Sequence, residues 1–233
     1  MTDESSYPGP VGFIHVPKCA GTSIFAAARD SLGADEVYQH GVEAPYAMFE
    51  ANAEMLAKKR FIGGHLTLEE MDLVPGERKL FLVIRQPIER VISYANFVAR
   101  RPKNVLYDSI AQSDYHTFLE RCLEILRTAR TPRRLTVNAQ EVENGICRRL
   151  GCRNAAEALE LISARKIKVF FQEHLDPSAL AGFLGIQQFE IPQMNRARGK
   201  FPIRSSEWMR IWELNREDML LYEELLRRSQ AQS

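Results

Sequence analysis

A lysine, a glycine and two hydroxyl residues stand close together in Val16-Pro17-Lys18-Cys19-Ala20-Gly21-Thr22-Ser23. The segment follows the apolar, β-rich stretch Val11 to Val16 and precedes helix formers from Thr22 to Arg29, so it falls where a strand turns into a helix. At such a turn the exposed backbone N–H groups and the positive end of the helix dipole collect anions, phosphates above all. Gly21 lets the backbone approach closely, Thr22 and Ser23 add hydroxyl donors, and Lys18 adds a point charge that reaches a bridging or terminal oxygen. Pro17, Lys18, Cys19, Ala20, Gly21, Thr22 and Ser23 are therefore the predicted anion cradle. The spacing is not that of the nucleotide triphosphatase loop, whose lysine directly precedes the Ser/Thr that holds magnesium. Here Lys18 precedes Gly21 and lies four residues before Thr22. The plain alternative is an ordinary strand-to-helix turn with a surface lysine.

A second constellation is Arg85-Gln86-Pro87-Ile88-Glu89-Arg90-Val91-Ile92-Ser93-Tyr94. Arg85 ends a continuous apolar run, so its guanidinium is expected at the C-terminal edge of a sheet, where open α/β sheets bind ligands. Ser93 lies about two turns into the helix that Pro87 opens, off its apolar face. Arg85 by a bidentate fork and Ser93 by its hydroxyl can hold a second phosphate. Taken alone, an arginine paired with a carboxylate explains Arg85 as well.

The elements that must position these groups follow from periodicity. Phe61 to Gly64 and Lys79 to Ile84 read as short buried strands, and Ile88, Val91, Ile92, Ala95 and Val98 recur at helical spacing. Tyr115 to Arg130 and Ala155 to Ala164 are predicted helices, and Lys168 to Phe171 a late strand bounded by Asp176-Pro177. Strands interleaved with helices predict an α/β doubly wound fold, a parallel sheet flanked by helices. One long final helix is expected from Ser205 to Arg228, packing Trp208, Ile211, Trp212, Met219, Tyr222 and Leu226. Arg100 to Thr117 is the least regular stretch and suits a mobile active-site loop.

Composition narrows the functional classes. A chain of 233 residues with 45% hydrophobic residues has the size of one domain, residues 1–233, with 1–10 a flexible tail. The net charge of +1 argues against a nucleic-acid partner, so any anion site must be local. No apolar run suits a transmembrane segment or a signal peptide, which predicts a soluble, cytoplasmic protein. Four cysteines without a CxxC pair, and no His/Cys cluster at ligand spacing, predict a reduced compartment and no metal.

The lysine loop followed by RxPxxRxxSxY resembles the 5'-phosphosulfate and 3'-phosphate motifs of sulfotransferases. The likeness is greatest to the carbohydrate group that includes heparan sulfate 2-O-sulfotransferase and its bacterial relatives. Gly63-Gly64-His65-Leu66 matches that family's GH segment, and Glu143-Asn144-Gly145-Ile146-Cys147-Arg148-Arg149-Leu150 is similar to its DNxxTRxL stretch. Val169 to Leu180 resembles a family strand followed by an aspartate-marked helix, and Asn195 to Lys200 a late basic nucleotide loop. Gln86 stands where the family has Asp, which leaves Arg85 without one expected partner, and Cys147 stands where it has Thr.

The resemblance implies the P-loop-like sulfotransferase fold. It also implies transfer of a sulfonyl group from 3'-phosphoadenosine 5'-phosphosulfate to a hydroxyl, leaving 3'-phosphoadenosine 5'-phosphate. His65 is then the catalytic base and Lys18 the cation on the leaving phosphate, with Arg85, Ser93, Arg148, Arg198 and Lys200 as further nucleotide ligands. The implied acceptor is a glycan, a glycolipid or another small alcohol, and peripheral membrane contact is compatible with a glycolipid. A histidine near its ordinary pKa suits proton abstraction at neutral pH, while the bland alternative has His65 satisfying loop backbone. Glu69 and Glu70 are the substitutes if His65 is misplaced, and His15 reads as a satisfied core histidine. Two other readings stay open: a nucleotide-dependent small-molecule kinase, and a non-catalytic nucleotide-binding module.

Overall fold

The structure, a computed structural model, describes residues 10–41, 46–110, 114–128, 133–186, 190–191 and 202–231. Five strands form one all-parallel sheet: β1 (Val11–Ile14), β2 (Val37–His40), β3 (Phe61–Gly64), β4 (Lys79–Ile84) and β5 (Lys168–Phe171). Their order is β2-β3-β1-β4-β5. The helices are α1 (Gly21–Leu32), α2 (Tyr46–Ala51), α3 (Ala53–Leu56), α4 (Leu68–Met71), α5 (Pro87–Val98) and α6 (Tyr115–Arg127). They continue with α7 (Arg133–Ala139), α8 (Gly145–Arg149), α9 (Ala155–Ala164), α10 (Pro177–Leu184), α11 (Ser205–Leu214) and α12 (Arg216–Gln230). This is the α/β class with a parallel sheet flanked by helices. β2 is the strand that the sequence pattern did not announce, because Val37-Tyr38-Gln39-His40 is too short and polar to stand out.

The chain divides into two compact units that interleave in sequence. The first holds everything up to Ile84 together with Arg149–Gly151 and Leu161–Asn195, and so contains the whole sheet. Its strands bury aromatic residues: Phe13 of β1 stacks on Phe81 of β4 at 4.6 Å and meets Phe25 of α1 at 5.5 Å and Phe61 of β3 at 6.1 Å. Gly63 makes this possible, since a Cβ there would lie 2.6 Å from the Phe13 carbonyl oxygen. In strand order, β1 sends the chain to β2 beyond β3, while its other neighbour β4 sends it to β5. The carboxyl ends of β1 and β4 thus flank the switch point, where open α/β sheets leave a crevice for ligands.

The second unit comprises Arg85–Arg148, Cys152–Glu160 and Arg196 onward. Its core packs Val91, Ala95 and Val98 of α5 with Phe118, Leu119 and Cys122 of α6 and Ile211 of α11. At its centre is a fully buried cation. Arg90 has 0% exposure; its Nη1 donates to Glu141 Oε2 at 3.0 Å, its Nη2 donates to the Glu141 carbonyl at 2.8 Å, and Asp218 Oδ2 lies 3.9 Å away. Asp218, also at 0% exposure, accepts the backbone N–H groups of Ile146 and Cys147 at 2.8 and 2.9 Å. Burial pushes its carboxyl up, against Arg90 and those N–H groups. Gly145 is the residue that admits this network, because a Cβ would fall 2.4 Å from Arg90 Nη2.

One expectation is corrected in this unit. The single helix over Ser205–Arg228 is two helices, α11 and α12, broken at Asn215. Asn215 is buried and its amide donates to the Val142 and Ile211 carbonyls at 2.8 and 2.9 Å, which holds the chain off helical course. Trp208 is consequently 42% exposed instead of packed, and Leu214, Leu221 and Leu225 take core positions beside Ile211 and Tyr222. The stretch from Arg100, expected as the least regular one, holds among the described residues turns and a single 3-10 turn at Tyr107–Ser109, flanked by Leu106 and Ile110 at 2% exposure each, before α6 begins at Tyr115.

A buried pair that loses one partner costs about 3–5 kcal/mol, whereas an ion pair with solvent access is worth about 0–1 kcal/mol. In urea denaturation Arg90→Met is therefore expected to lose the larger amount and Arg85→Ala the smaller. Losses of equal size would contradict the central role given to Arg90.

Candidate functional site

The first unit carries the loop that the sequence marks as an anion cradle. β1 ends at Ile14, and α1 begins at Gly21. Between them Lys18 (φ 70°) and Ala20 (φ 59°, ψ 8°) both hold the left-handed backbone that non-glycine residues avoid. Left-handed residues interleaved in a turn make successive amides converge, which forms an anion-binding concavity. Strain of this kind persists only where the surroundings impose it, and it concentrates at ligand clamps. Ala20 supplies no side-chain cap to α1, and the first turn of that helix holds no acidic residue. The positive end of a helix is thus left to whatever occupies the loop.

Within the cradle, Pro17, Cys19, Gly21 and Ser23 are buried, Lys18 and Ala20 half-buried, and Thr22 exposed. The Cys19 thiol, at 0% exposure, points at the Pro17 carbonyl (3.8 Å), which gives it a packing role in the turn. Gly21 serves a different purpose from the expected close approach of a ligand. A Cβ on it would lie 2.0 Å from His15 Nε2, so the start of α1 rests directly on an imidazole. Only glycine lets the chain pass there.

Three histidines stand at the carboxyl ends of adjacent strands. Register places Ile14 and His40 opposite Gly64, so His15 and His65 each follow directly on this level. Gly64 adopts φ 123°, and a Cβ there would meet the His40 carbonyl oxygen at 2.2 Å. This glycine ends β3 and turns out His65, whose own N–H donates to that same carbonyl at 3.0 Å. The His15 and His65 rings lie 4.9 Å apart with a 55° tilt. His40 is buried beside Phe49, with Nδ1 in hydrogen-bond contact with the Tyr38 hydroxyl at 3.0 Å.

The charges bearing on these rings are cationic. Burial first, then His65, Arg149 and Lys18, hold His15 well below the ordinary imidazole range. Burial, then Arg149 and His40, hold His65 down at about 3. Both imidazoles are therefore neutral at neutral pH, and the field around them favours an incoming anion. Arg149, 9% exposed, is the contributor that sequence reasoning missed. Its neighbour Arg148, the residue picked out by the family-like stretch, is ion-paired with Glu143 and donates from Nε to the Glu143 carbonyl at 2.9 Å. Only the helical register of two adjacent arginines separates them. Likewise His15, read as a satisfied core histidine, has a buried Nδ1 with no hydrogen-bond partner among the described residues.

The remaining expected residues fall as follows. Glu70 closes a capping box on α4: Thr67 Oγ1 accepts from Glu70 N at 3.2 Å and Thr67 N donates to Glu70 Oε2 at 2.8 Å. Glu70 is thus engaged in the helix cap, while Glu69 is exposed. In the second unit, α5 buries all of its residues except Glu89, Ser93 and Phe97, a single row at helical spacing. Arg85 heads that row and pairs with Glu89 at 3.2 Å, the local partner that the Gln86 position lacks. Gln86 instead caps α5 by accepting from Glu89 N at 2.8 Å. Asn144 Oδ1 accepts from Asp218 N at 3.2 Å. Cys147 is buried in the Arg90 network, where burial and Asp218 push its thiol up. Asp176 caps α10 by accepting from Ser178 N at 2.8 Å. Arg198 and Lys200 lie outside the described residues.

Among the described residues no three His, Cys, Asp or Glu side chains gather in a way that could hold a metal ion, and no helix is long and apolar enough to cross a membrane. A scan against protein-family models finds no match, and a search of the curated proteins finds no relative.

The depressed imidazoles link stability to pH. Below about pH 6.5 the unfolded chain binds protons at His15 and His65 that the folded chain refuses, at His65 down to about pH 3, so stability is full above pH 6.5 and falls as pH drops. Each site contributes a slope of up to about 1.4 kcal/mol per pH unit. Urea midpoints measured from pH 7.5 down to 4.5 are expected to fall more steeply for the native chain than for His65→Gln. Identical slopes would contradict the burial of a neutral His65.

Proposed function

We propose that this chain is a sulfotransferase, with the sulfotransferase variant of the α/β fold, that moves a sulfonyl group from 3'-phosphoadenosine 5'-phosphosulfate to a hydroxyl of a carbohydrate, glycolipid or other small alcohol. The observation that carries the reading is the left-handed loop at Lys18 and Ala20 beneath an uncapped helix, set beside cationic and imidazole side chains. The donor supplies an activated sulfur with a phosphate leaving group. The loop amides from Ala20 to Ser23 bind the 5' end, and Lys18 offsets the charge that grows on the departing phosphate oxygen. Arg149 adds positive potential from the side of the imidazoles.

His65 is the base. As the acceptor oxygen forms its bond to sulfur and the sulfur–phosphate oxygen bond breaks, the hydroxyl proton passes to His65. His65 is neutral at neutral pH, so it can accept a proton, though it is weakly basic. The negative charge of the bound donor raises its affinity for the proton at the step that needs it. Charge on a sulfonyl group is lower than on a phosphoryl group, so lysine and arginine suffice and no metal clamp is required. Arg85 and Ser93 take the 3'-phosphate, an assignment that comes from the sequence motif. Arg85 exchanges Glu89 for the ligand. Arg148 contributes by holding its segment through Glu143, and Arg198 and Lys200 are the late basic ligands. A cytoplasmic location suits the donor and the reduced cysteines.

Calorimetry with 3'-phosphoadenosine 5'-phosphate in the presence of EDTA tests this reading. Micromolar binding is expected, weakened about tenfold or more in Lys18→Ala. Binding of ATP that depends on magnesium, without binding of the bisphosphate, would establish the kinase reading instead.

A further inference from the structure

The imidazole of His15 has a fixed place and an unused edge. Phe13 and Phe25 wall it at 5.4 and 6.1 Å, and Gly21 packs over the ring face at Nε2. The residue is 7% exposed, and Nδ1 is buried with no hydrogen-bond partner among the described residues. A buried ring nitrogen without a partner needs a reason, and catalytic use is one. The His65 ring lies 4.9 Å away between centroids, tilted by 55°. At that separation a modest ring rotation brings two imidazoles into N–H···N contact.

We propose that His15 is the positioning residue of the base: with its proton on Nε2, it presents Nδ1 as the hydrogen-bond acceptor for His65 when His65 takes up the proton of the attacking hydroxyl. This rests on the role of His65 proposed above. The step balances: the hydroxyl proton binds one nitrogen of His65, the N–H on the other nitrogen donates to His15 Nδ1, and the charge of the imidazolium is shared across the pair. The extra proton later leaves from His65 to solvent, and His15 never gains or loses one.

A base of this kind is commonly oriented by a carboxylate. Here a neutral acceptor is the better choice. The groups facing the pair are Lys18 from the loop, Arg149 from the end of α8, and His40 from β2. A carboxylate among them would neutralise the field that draws in an anionic donor, whereas an imidazole supports His65 and leaves the field intact. The packing of His15 on Gly21 also ties the orientation of the base to the shape of the anion loop.

The test is an imidazole pH titration by NMR in saturating sodium sulfate, an anion that does not itself titrate in the range used. His15→Phe keeps the ring packing and removes the acceptor, and His15→Gln restores an acceptor. The expected result is that the His65 midpoint drops by about one pH unit, a tenfold loss of proton affinity, in His15→Phe and recovers by more than half in His15→Gln. A His65 midpoint within about 0.3 pH unit of the native value in His15→Phe overturns the inference. Should His15→Phe fail to fold, the native chain decides. A His15 Nδ1 nitrogen resonance that moves from unbonded to hydrogen-bonded as His65 titrates supports the pair, and a constant one overturns it. Sulfate occupancy is read separately from the amides of Gly21 and Ser23. If these do not respond, the anion cradle itself fails and the inference falls with it; if they respond while His65 ignores His15, the cradle stands and only the inference fails.

Discussion

The start of α1 rests on the ring of His15, with Gly21 as the point of contact, and much of the first unit is arranged around that contact. Because no side chain fits at Gly21, the chain between β1 and α1 must take a narrow path, and it does so with Lys18 and Ala20 in left-handed conformations. That path leaves the helix uncapped and its amides turned to the loop. The same ring touches His65, which Gly64 delivers from β3 at the equivalent strand level. One contact thus couples the path of the loop between β1 and α1 to the placement of His65.

The second unit depends on a constraint of another kind. Arg90 brings a full charge into the core, and its partners come from distant parts of the chain, Glu141 and Asp218. Removing a charge from water is costly unless partners offset it; Arg90 Nε finds no hydrogen-bond partner among the described residues, so the contacts of its two terminal nitrogens with Glu141 and Asp218 hold α8 and α12 against α5. The RxPxxRxxSxY motif therefore divides by role. Arg90 and Tyr94 are structural, Tyr94 donating to the Asn138 carbonyl at 2.8 Å, while Ser93 lies on the less buried row of α5 and Arg85, just before the helix, pairs with Glu89 of that row.

Strand and helix positions were legible where hydrophobic period and turn chemistry agreed. Phe61–Gly64, Lys79–Ile84, Pro87–Val98 and Ala155–Ala164 fall where the pattern places them. The break at Asn215 was not legible, because an asparagine inside an amphipathic run announces a break only through the tertiary carbonyls it finds. The site was partly legible. A lysine loop after a strand and a histidine after two glycines are local signals. The choice of Arg149 over Arg148 is not, since adjacent arginines differ only in which way a helix turns them. His15 was hidden for a related reason: a polar residue at a strand end reads as core until its neighbour on the next strand is known.

A crystal structure of the chain grown with 3'-phosphoadenosine 5'-phosphate tests the central claim most directly. The account predicts the 5'-phosphate on the amides of Ala20 to Ser23, with the Lys18 ammonium in hydrogen-bond contact with it. A nucleotide bound elsewhere, with the left-handed loop empty, would contradict it.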